Sequence, residues 1–192
     1  MKLRKLIVVL ALAAAGNAHA ATGIFESYGI IKINASTSVY YDMQAATANP
    51  DFQGANLGIF DTSVGNTLVL VGGEIKTFKN GPSDVTGGRF DYRVFKVGDT
   101  PGSFTEFNLN FNSDLGGGDQ KWDNTGANAN LLSGLGNGSY TVQVFAYSTT
   151  NEGNKFSNNG GANYSANFSV VPETSSAALG MIGSLLLLRR RR

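Results

Sequence analysis

Residues 89–97 read R-F-D-Y-R-V-F-K-V, and this stretch decides the predicted fold. Phe90, Tyr92 and Val94 alternate with polar residues, which is the period-two pattern of a strand with one buried face and one solvent-facing side. Aromatic and β-branched side chains also favour extended backbone. The stretch therefore predicts a β-strand that packs one face against a core.

The same kind of pattern recurs on both sides of this stretch, and clusters of Gly, Asn, Asp and Ser separate the segments. The segment 67–78 predicts a strand or, as an alternative, a hairpin that turns at Gly72-Gly73. The residues 151–163 carry no apolar run and predict a long surface loop. About eight to ten strands at this spacing predict a single β-sandwich over residues 21–170, either immunoglobulin-like or a jelly roll. The further predicted strands are 24–33, 39–43, 57–60, 67–78, 107–111, 140–144 and 164–170.

One connection carries a more specific pattern. Residues 132–140 read L-S-G-L-G-N-G-S-Y and are followed by T-V-Q-V. This resembles the approach to a late strand in immunoglobulin-like and fibronectin-type domains, where a tyrosine hydroxyl bonds upstream backbone. The resemblance implies that Tyr140 is a buried corner residue.

The first 20 residues show the three-part pattern of a secretory signal peptide. A charged start precedes an apolar run, residues 6–15, and an A-x-A site formed by Ala18 and Ala20. The apolar run is too short to span a membrane comfortably. We expect cleavage after Ala20, so that the mature chain begins at Ala21.

The last residues, 171–192, read V-P-E-T-S-S-A-A-L-G-M-I-G-S-L-L-L-L-R-R-R-R. The apolar run 177–188 is shorter than the roughly 20 residues of a comfortable span, but polar neighbours can extend it. The four arginines that follow are costly to carry across a bilayer and hold the C-terminus on the cytoplasmic side. The tail therefore predicts a short transmembrane helix.

This tail resembles the PEP-CTERM sorting signal of Gram-negative bacteria, which joins a Pro-Glu-Pro motif, a short transmembrane helix and an Arg cluster. Thr174 stands where the second proline of that motif is expected. The resemblance implies transient partners, namely the secretion machinery and an exosortase, a membrane-embedded cysteine protease that removes the tail. It also implies a final location at the cell surface, outer membrane or extracellular matrix, with membrane contact through the helix before processing. The matching residues are Val171, Pro172, Glu173, Arg189, Arg190, Arg191 and Arg192.

The composition excludes several catalytic classes. His19 is the only histidine, it lies in the predicted signal peptide, and the chain has no cysteine. A mature chain without His or Cys cannot build a Ser-His-Asp or Cys-His nucleophile, a His-ligated catalytic zinc site or a disulfide framework. A carboxylate-pair glycosidase remains as an enzymatic alternative, without a local pattern that indicates it. We expect a protein that is not an enzyme and uses no cofactor.

The charge of the exported part excludes two classes of partner. Once the signal peptide and the terminal arginines are removed, eight Lys and Arg stand against 14 acidic residues. Nucleic acids and anionic membranes both require a basic patch. We therefore expect no nucleic acid partner.

One stretch, residues 113–124, concentrates candidate ligand groups in the sequence S-D-L-G-G-G-D-Q-K-W-D-N. Asp114, Asp119 and Asp123 offer the oxygen ligands that Ca²⁺ prefers, although Asp beside Gly is also ordinary turn chemistry. Trp122, the only tryptophan, offers a flat apolar ring for stacking on a sugar, or a plug for the core. The aspartates therefore predict either a calcium site or an ordinary turn, and Trp122 predicts either a sugar-stacking ring or a core residue.

These observations favour an exported, non-enzymatic surface or matrix protein, and the PEP-CTERM resemblance implies association with exopolysaccharide or biofilm material. The alternative is a protein similar to a carbohydrate-binding module, which uses Trp122 and loop aromatics.

Overall fold

The computed structural model describes residues 21–171, which form one curled, half-barrel β-sheet. Two short 3₁₀ segments, Thr62–Val64 and Asn159–Gly161, interrupt the strands. The prediction of an all-β chain is confirmed. The strands are β1 (Ala21–Ile33), β2 (Val39–Asp42), β3 (Asn56–Asp61), β4 (Leu68–Asn80), β5 (Val85–Lys96), β6 (Thr105–Gly116), β7 (Asp119–Asn124), β8 (Ala129–Asn130), β9 (Gly138–Thr150), β10 (Lys155–Ser157) and β11 (Tyr164–Val171).

The predicted signal peptide, with Ala18 and Ala20, lies outside the described residues, as does the sorting signal from residue 172 onward. Val171 is the last residue of β11 and is exposed beside Asp61 of β3. Between Ala21 and Val171 the chain forms no helix that is long and apolar enough to cross a membrane.

The sheet follows one continuous path, in the order β2-β1-β4-β7-β6-β5-β9-β11-β3, with β8 added to β4 and β10 to β9. Every strand pair is antiparallel except β3 with β11. The curl is centred on β6, whose first half pairs with β5 and whose second half pairs with β7. One strand thus belongs to both halves of the sheet, and the two halves face each other across the core.

The core fills the space between the two halves of the sheet. Phe90 of β5 reaches the opposite half, where Gly73 of β4 lies directly across from Gly29 of β1. A Cβ on Gly73 would lie 2.2 Å from the Phe90 ring, and one on Gly29 would lie 3.1 Å from the Phe52 ring. The two glycines therefore form the hollow into which both phenylalanine rings pack.

Two local predictions are wrong. Gly72-Gly73 is not a hairpin turn, because both glycines lie inside the continuous strand β4, where close contacts with neighbouring groups leave no room for side chains. The predicted loop 151–163 also contains β10, which pairs with β9 although it is only three residues long. The strand predicted over 67–78 is present without the hairpin, whereas the three residues of β10 are too few to show a periodicity.

The corner prediction is confirmed. Tyr140 is buried, and its hydroxyl donates a hydrogen bond of 2.7 Å to the backbone oxygen of Gly136. Its ring stacks on Phe168 of β11, with 5.5 Å between ring centroids. The tyrosine thus ties the turn before β9 to the neighbouring strand.

Candidate functional site

A cleft of about 370 Å³ opens where β6 passes from one half of the sheet to the other. This volume lies within the range of small-ligand sites in proteins. The cleft forms because β6 turns away from β5 to pair with β7, and because Gly87 and Gly88 leave the β5 side without side chains. The residues that line it are Thr86, Gly87, Gly88, Arg89, Asn108, Leu109, Asn110, Phe111, Trp122 and Thr149.

The lining of the cleft combines two kinds of group. Hydroxyls, amides and one guanidinium supply donors and acceptors, from Thr86, Thr149, Asn108, Asn110 and Arg89. Aromatic rings form the apolar part of the wall. Polar groups of both hydrogen-bonding kinds beside aromatic rings suit a ligand that carries many hydroxyls on an apolar frame.

Trp122 lies at this cleft, but its ring is not an open platform. Its register partners are Ile75 of β4 and Phe111 of β6, and only 8% of the residue is exposed. The indole Nε1 is buried and has no hydrogen-bond partner within residues 21–171. Trp122 therefore belongs mainly to the core and presents one side to the cleft.

Phe111 supplies the exposed ring that Trp122 does not. Its ring meets Trp122 edge to face, with 5.5 Å between centroids, and the residue is 53% exposed. The alternation in β6 predicts a buried Phe111, like Leu109 two residues earlier. The difference arises because β6 leaves β5 between these residues, so Phe111 loses the neighbouring strand on that side.

Arg89 forms the polar rim of the cleft. Its guanidinium donates a hydrogen bond to a carboxylate oxygen of Glu106, which lies on the neighbouring strand β6. Tyr147 of β9 is the register partner of Arg89 on the other side. The ion pair holds the guanidinium at the rim without leaving a free positive charge there.

The three candidate calcium ligands do not converge. The carboxylate of Asp114 accepts a hydrogen bond from the backbone N–H of Gly116 in its own turn, and Asp123 forms an ion pair of 3.3 Å with Lys121. Asp119 and Asp123 are separated by four strand positions, or roughly 13 Å. In the described part of the chain, no group of three His, Cys, Asp or Glu residues is arranged to hold a metal ion. The aspartates serve the β6–β7 hairpin instead.

The other outer face of the sheet is occupied by ion pairs. Lys76 contacts Glu26 at 2.5 Å, and Lys121 contacts the buried carboxylate of Glu74 at 2.9 Å. The charged side chains of β1, β4 and β7 on this face thus form ion pairs with one another. Among the described residues, the buried polar atoms without a hydrogen-bond partner include Trp122 Nε1 at the cleft and Asp91 Oδ2 on β5; the others are Gln120 Oε1 on β7 and Ser148 Oγ on β9.

No protein-family model matches the chain, and no curated protein shows significant sequence similarity to it.

Proposed function

We propose that the chain is an exported protein of the bacterial surface or extracellular matrix, whose β domain binds polysaccharide without degrading it. The observation that carries the binding part is the cleft, which places an exposed phenylalanine ring beside hydroxyl and amide groups. The export and sorting part is supported by the sequence of the two ends, including the PEP-CTERM-like tail. In this proposal the secretion machinery and an exosortase are transient partners, and the polysaccharide is the lasting one.

The finer fold class belongs to the same proposal. We infer an immunoglobulin-like sandwich in which β6 joins the two layers, rather than a jelly roll. The Tyr140 hydroxyl, bonded to the backbone four residues upstream, is the feature that supports this inference. Such a fold carries no activity of its own, so the function depends on the groups that it presents.

The sugar class follows from the groups in the cleft. A pyranose ring presents apolar C–H faces, which pack on aromatic rings, and hydroxyls at its edge, which require both donors and acceptors. Asn108, Asn110 and Thr149 offer both, whereas the one cation, Arg89, is already paired with Glu106. The cleft therefore suits a neutral sugar better than a polyanion.

We expect Phe111→Ala to weaken polysaccharide binding by about tenfold, because stacking of a ring on an aromatic side chain contributes on the order of 1 kcal/mol and excludes water from nearby hydrogen bonds. The probes are soluble neutral polysaccharides, namely dextran, galactomannan and hydroxyethylcellulose, measured by affinity electrophoresis. Leu115→Ala is the matched control, since Leu115 lies on the same strand, is 49% exposed and does not line the cleft.

Equal losses in both variants, at unchanged thermal stability, would contradict a role for the cleft. Failure of the unaltered protein to bind any polysaccharide in the panel, or in material extracted from the producing cells, would contradict the proposed function itself.

The sorting part has an independent test. If an exosortase removes the tail, the surface form should have an intact mass that lacks Arg189 to Arg192. Replacing all four arginines with serine should reduce processing, because the tail then lacks the charges that hold its end in the cytoplasm. Recovery of a surface form that still contains Arg192, in cells with an active exosortase, would instead indicate a membrane-anchored protein.

A further inference from the structure

The outer face of β5 and β9, next to the cleft, carries a cluster of aromatic side chains that we name the aromatic face: Phe104, Phe145, Tyr147 and Phe156. Phe145 lies at its centre, with ring centroids 4.9 Å from Phe104, 6.4 Å from Tyr147 and 6.5 Å from Phe156. Tyr147 and Phe156 lie 5.4 Å apart. Phe156 is 50% exposed, so the cluster is open to solvent on the β10 side.

The cation beside this cluster is held in place by three hydrogen bonds to neutral groups. The guanidinium of Arg93 lies 4.2 Å from the centre of the Phe104 ring. It donates two hydrogen bonds to the Gln143 side-chain oxygen, at 2.6 and 3.0 Å, and one of 2.9 Å to the backbone oxygen of Gly102. Arg93 thus extends the flat surface, and it keeps its positive charge because its hydrogen-bond partners are neutral.

Asp91 lies between the aromatic face and β6, with Phe145 on one side and Glu106 on the other as register partners. Only 7% of Asp91 is exposed, yet its Oδ2 has no hydrogen-bond partner within residues 21–171. Burial raises the pKa of this carboxyl to about 6, and the Glu106 charge adds to the effect while Arg89 opposes it. A buried carboxylate oxygen without a partner is costly to leave unsatisfied.

We propose that the aromatic face is a second sugar-binding surface, on which a neutral polysaccharide stacks while one of its hydroxyls donates to Asp91 Oδ2. The rings supply apolar contact for sugar C–H faces, and the carboxylate supplies the acceptor. The occupant is neutral because the charged groups of this face balance: Arg89 is ion-paired with Glu106, and the charges of Arg93 and Asp91 are opposite, so no net charge attracts an anion. A polyanion would gain no net attraction from this balanced set and would meet the Asp91 and Glu106 carboxylates.

The second surface continues the first, so this inference rests on the proposed function of the cleft. Arg89 lines the cleft and lies directly opposite Tyr147 of the aromatic face. From Gly87 to Phe95 the strand β5 spans about 26 Å. A long glycan chain can therefore contact both surfaces at once, whereas a short oligosaccharide reaches only one. Joining the two contacts on one chain raises the overall affinity without new contacts at either site.

Chain length provides the test. Phe156→Ala and Tyr147→Ala should each weaken binding of the long polysaccharide that the protein selects by about tenfold, and should leave binding of its short oligosaccharides to the cleft unchanged. Phe111→Ala should weaken both. Ile59→Ala, an exposed apolar residue on the far edge strand β3, is the control and should alter neither. Calorimetric titration of residues 21–171 with the long polysaccharide and with its short oligosaccharides measures these affinities.

Asp91→Asn adds a readout that loss of folding would not mimic, because it keeps the shape of the side chain. At pH 7 the native carboxylate is mainly ionised and accepts the stronger, charge-assisted bond, so the variant should bind the long chain several-fold more weakly. At pH 5 the native carboxyl is mainly neutral, and the difference should largely disappear. The charged and titratable groups facing Asp91 are Arg89, Arg93, Glu106 and Tyr147, and all four are unchanged in this comparison.

Each other outcome overturns a defined part of the proposal. Unchanged long-chain binding in Phe156→Ala and Tyr147→Ala would remove the second surface and leave the cleft, whereas a native protein that binds no polysaccharide removes both. A concentration-dependent dimer that Phe156→Ala abolishes would assign the face to a second copy of the chain. Release of new reducing ends from the polysaccharide, lost in Asp91→Asn, would make the carboxylates of Asp91 and Glu106 catalytic instead.

Discussion

Gly72→Ala is expected to destabilise the domain by more than about 3 kcal/mol, because the added Cβ has no space in the sheet. A Cβ on Gly72 would lie 1.5 Å from the backbone oxygen of Asn124 in β7. Backbone cannot move aside as the end of a flexible side chain can, so β4 and β7 would have to separate locally. Loss of this pairing removes the support of β6, which links the two halves of the sheet.

Gly87→Ala is the matched control, since this strand glycine has Thr149 Cβ, at 3.8 Å, as its nearest neighbour and should change stability by less than about 1 kcal/mol. Chemical unfolding of residues 21–171, followed by tryptophan fluorescence, compares the two variants. Similar stability of Gly72→Ala and the native domain would show that β4 and β7 do not approach as closely as described.

Tyr140→Ala is expected to cost roughly 3 to 5 kcal/mol, the range for removal of a large buried aromatic side chain. The ring stacks on Phe168, and the hydroxyl is bonded to Gly136, so the truncation leaves both a cavity and an unbonded carbonyl. Tyr140→Phe separates the two contributions, because it keeps the ring and removes only a hydrogen bond worth about 1 kcal/mol.

Thermal and urea unfolding of both Tyr140 variants provides the measurement. A cost below about 0.5 kcal/mol for Tyr140→Ala would be that of a surface residue and would contradict the buried corner. A Tyr140→Phe variant as unstable as Tyr140→Ala would show that the hydrogen bond, and not the packing, holds the corner.

The strands with regular alternation were predictable from the sequence. The alternating apolar residues of 89–97 predict the central strand β5, because a period of two fits a strand and does not fit a helix. The Asp and Gly residues around the short strand β7 predict a turn, because both favour turns locally. Its pairing with both β4 and β6 overrides that preference.

The residues that assemble the candidate sites were less predictable. Trp122 is conspicuous in the sequence because it is the only tryptophan, and the alternation in β6 predicts a buried Phe111. Their position at a cleft depends on where β6 changes partner, which is a property of the whole sheet. The contact between Asp91, Glu106 and Phe145 depends in the same way on the register of three strands. A shift of one residue would move each side chain to the opposite face.

The pairing of β11 determines how the domain bears a pull on its C-terminal end. This strand ends at Val171, the first residue of the predicted sorting signal, and it is hydrogen-bonded to β9 on one side and to β3 on the other. Tension applied at Val171 along the strand is borne by both ladders in shear, so many hydrogen bonds share the load. A strand pulled from a free edge would instead lose its bonds one at a time. A pull on this end of the domain is therefore resisted more strongly than a pull on a free edge strand would be.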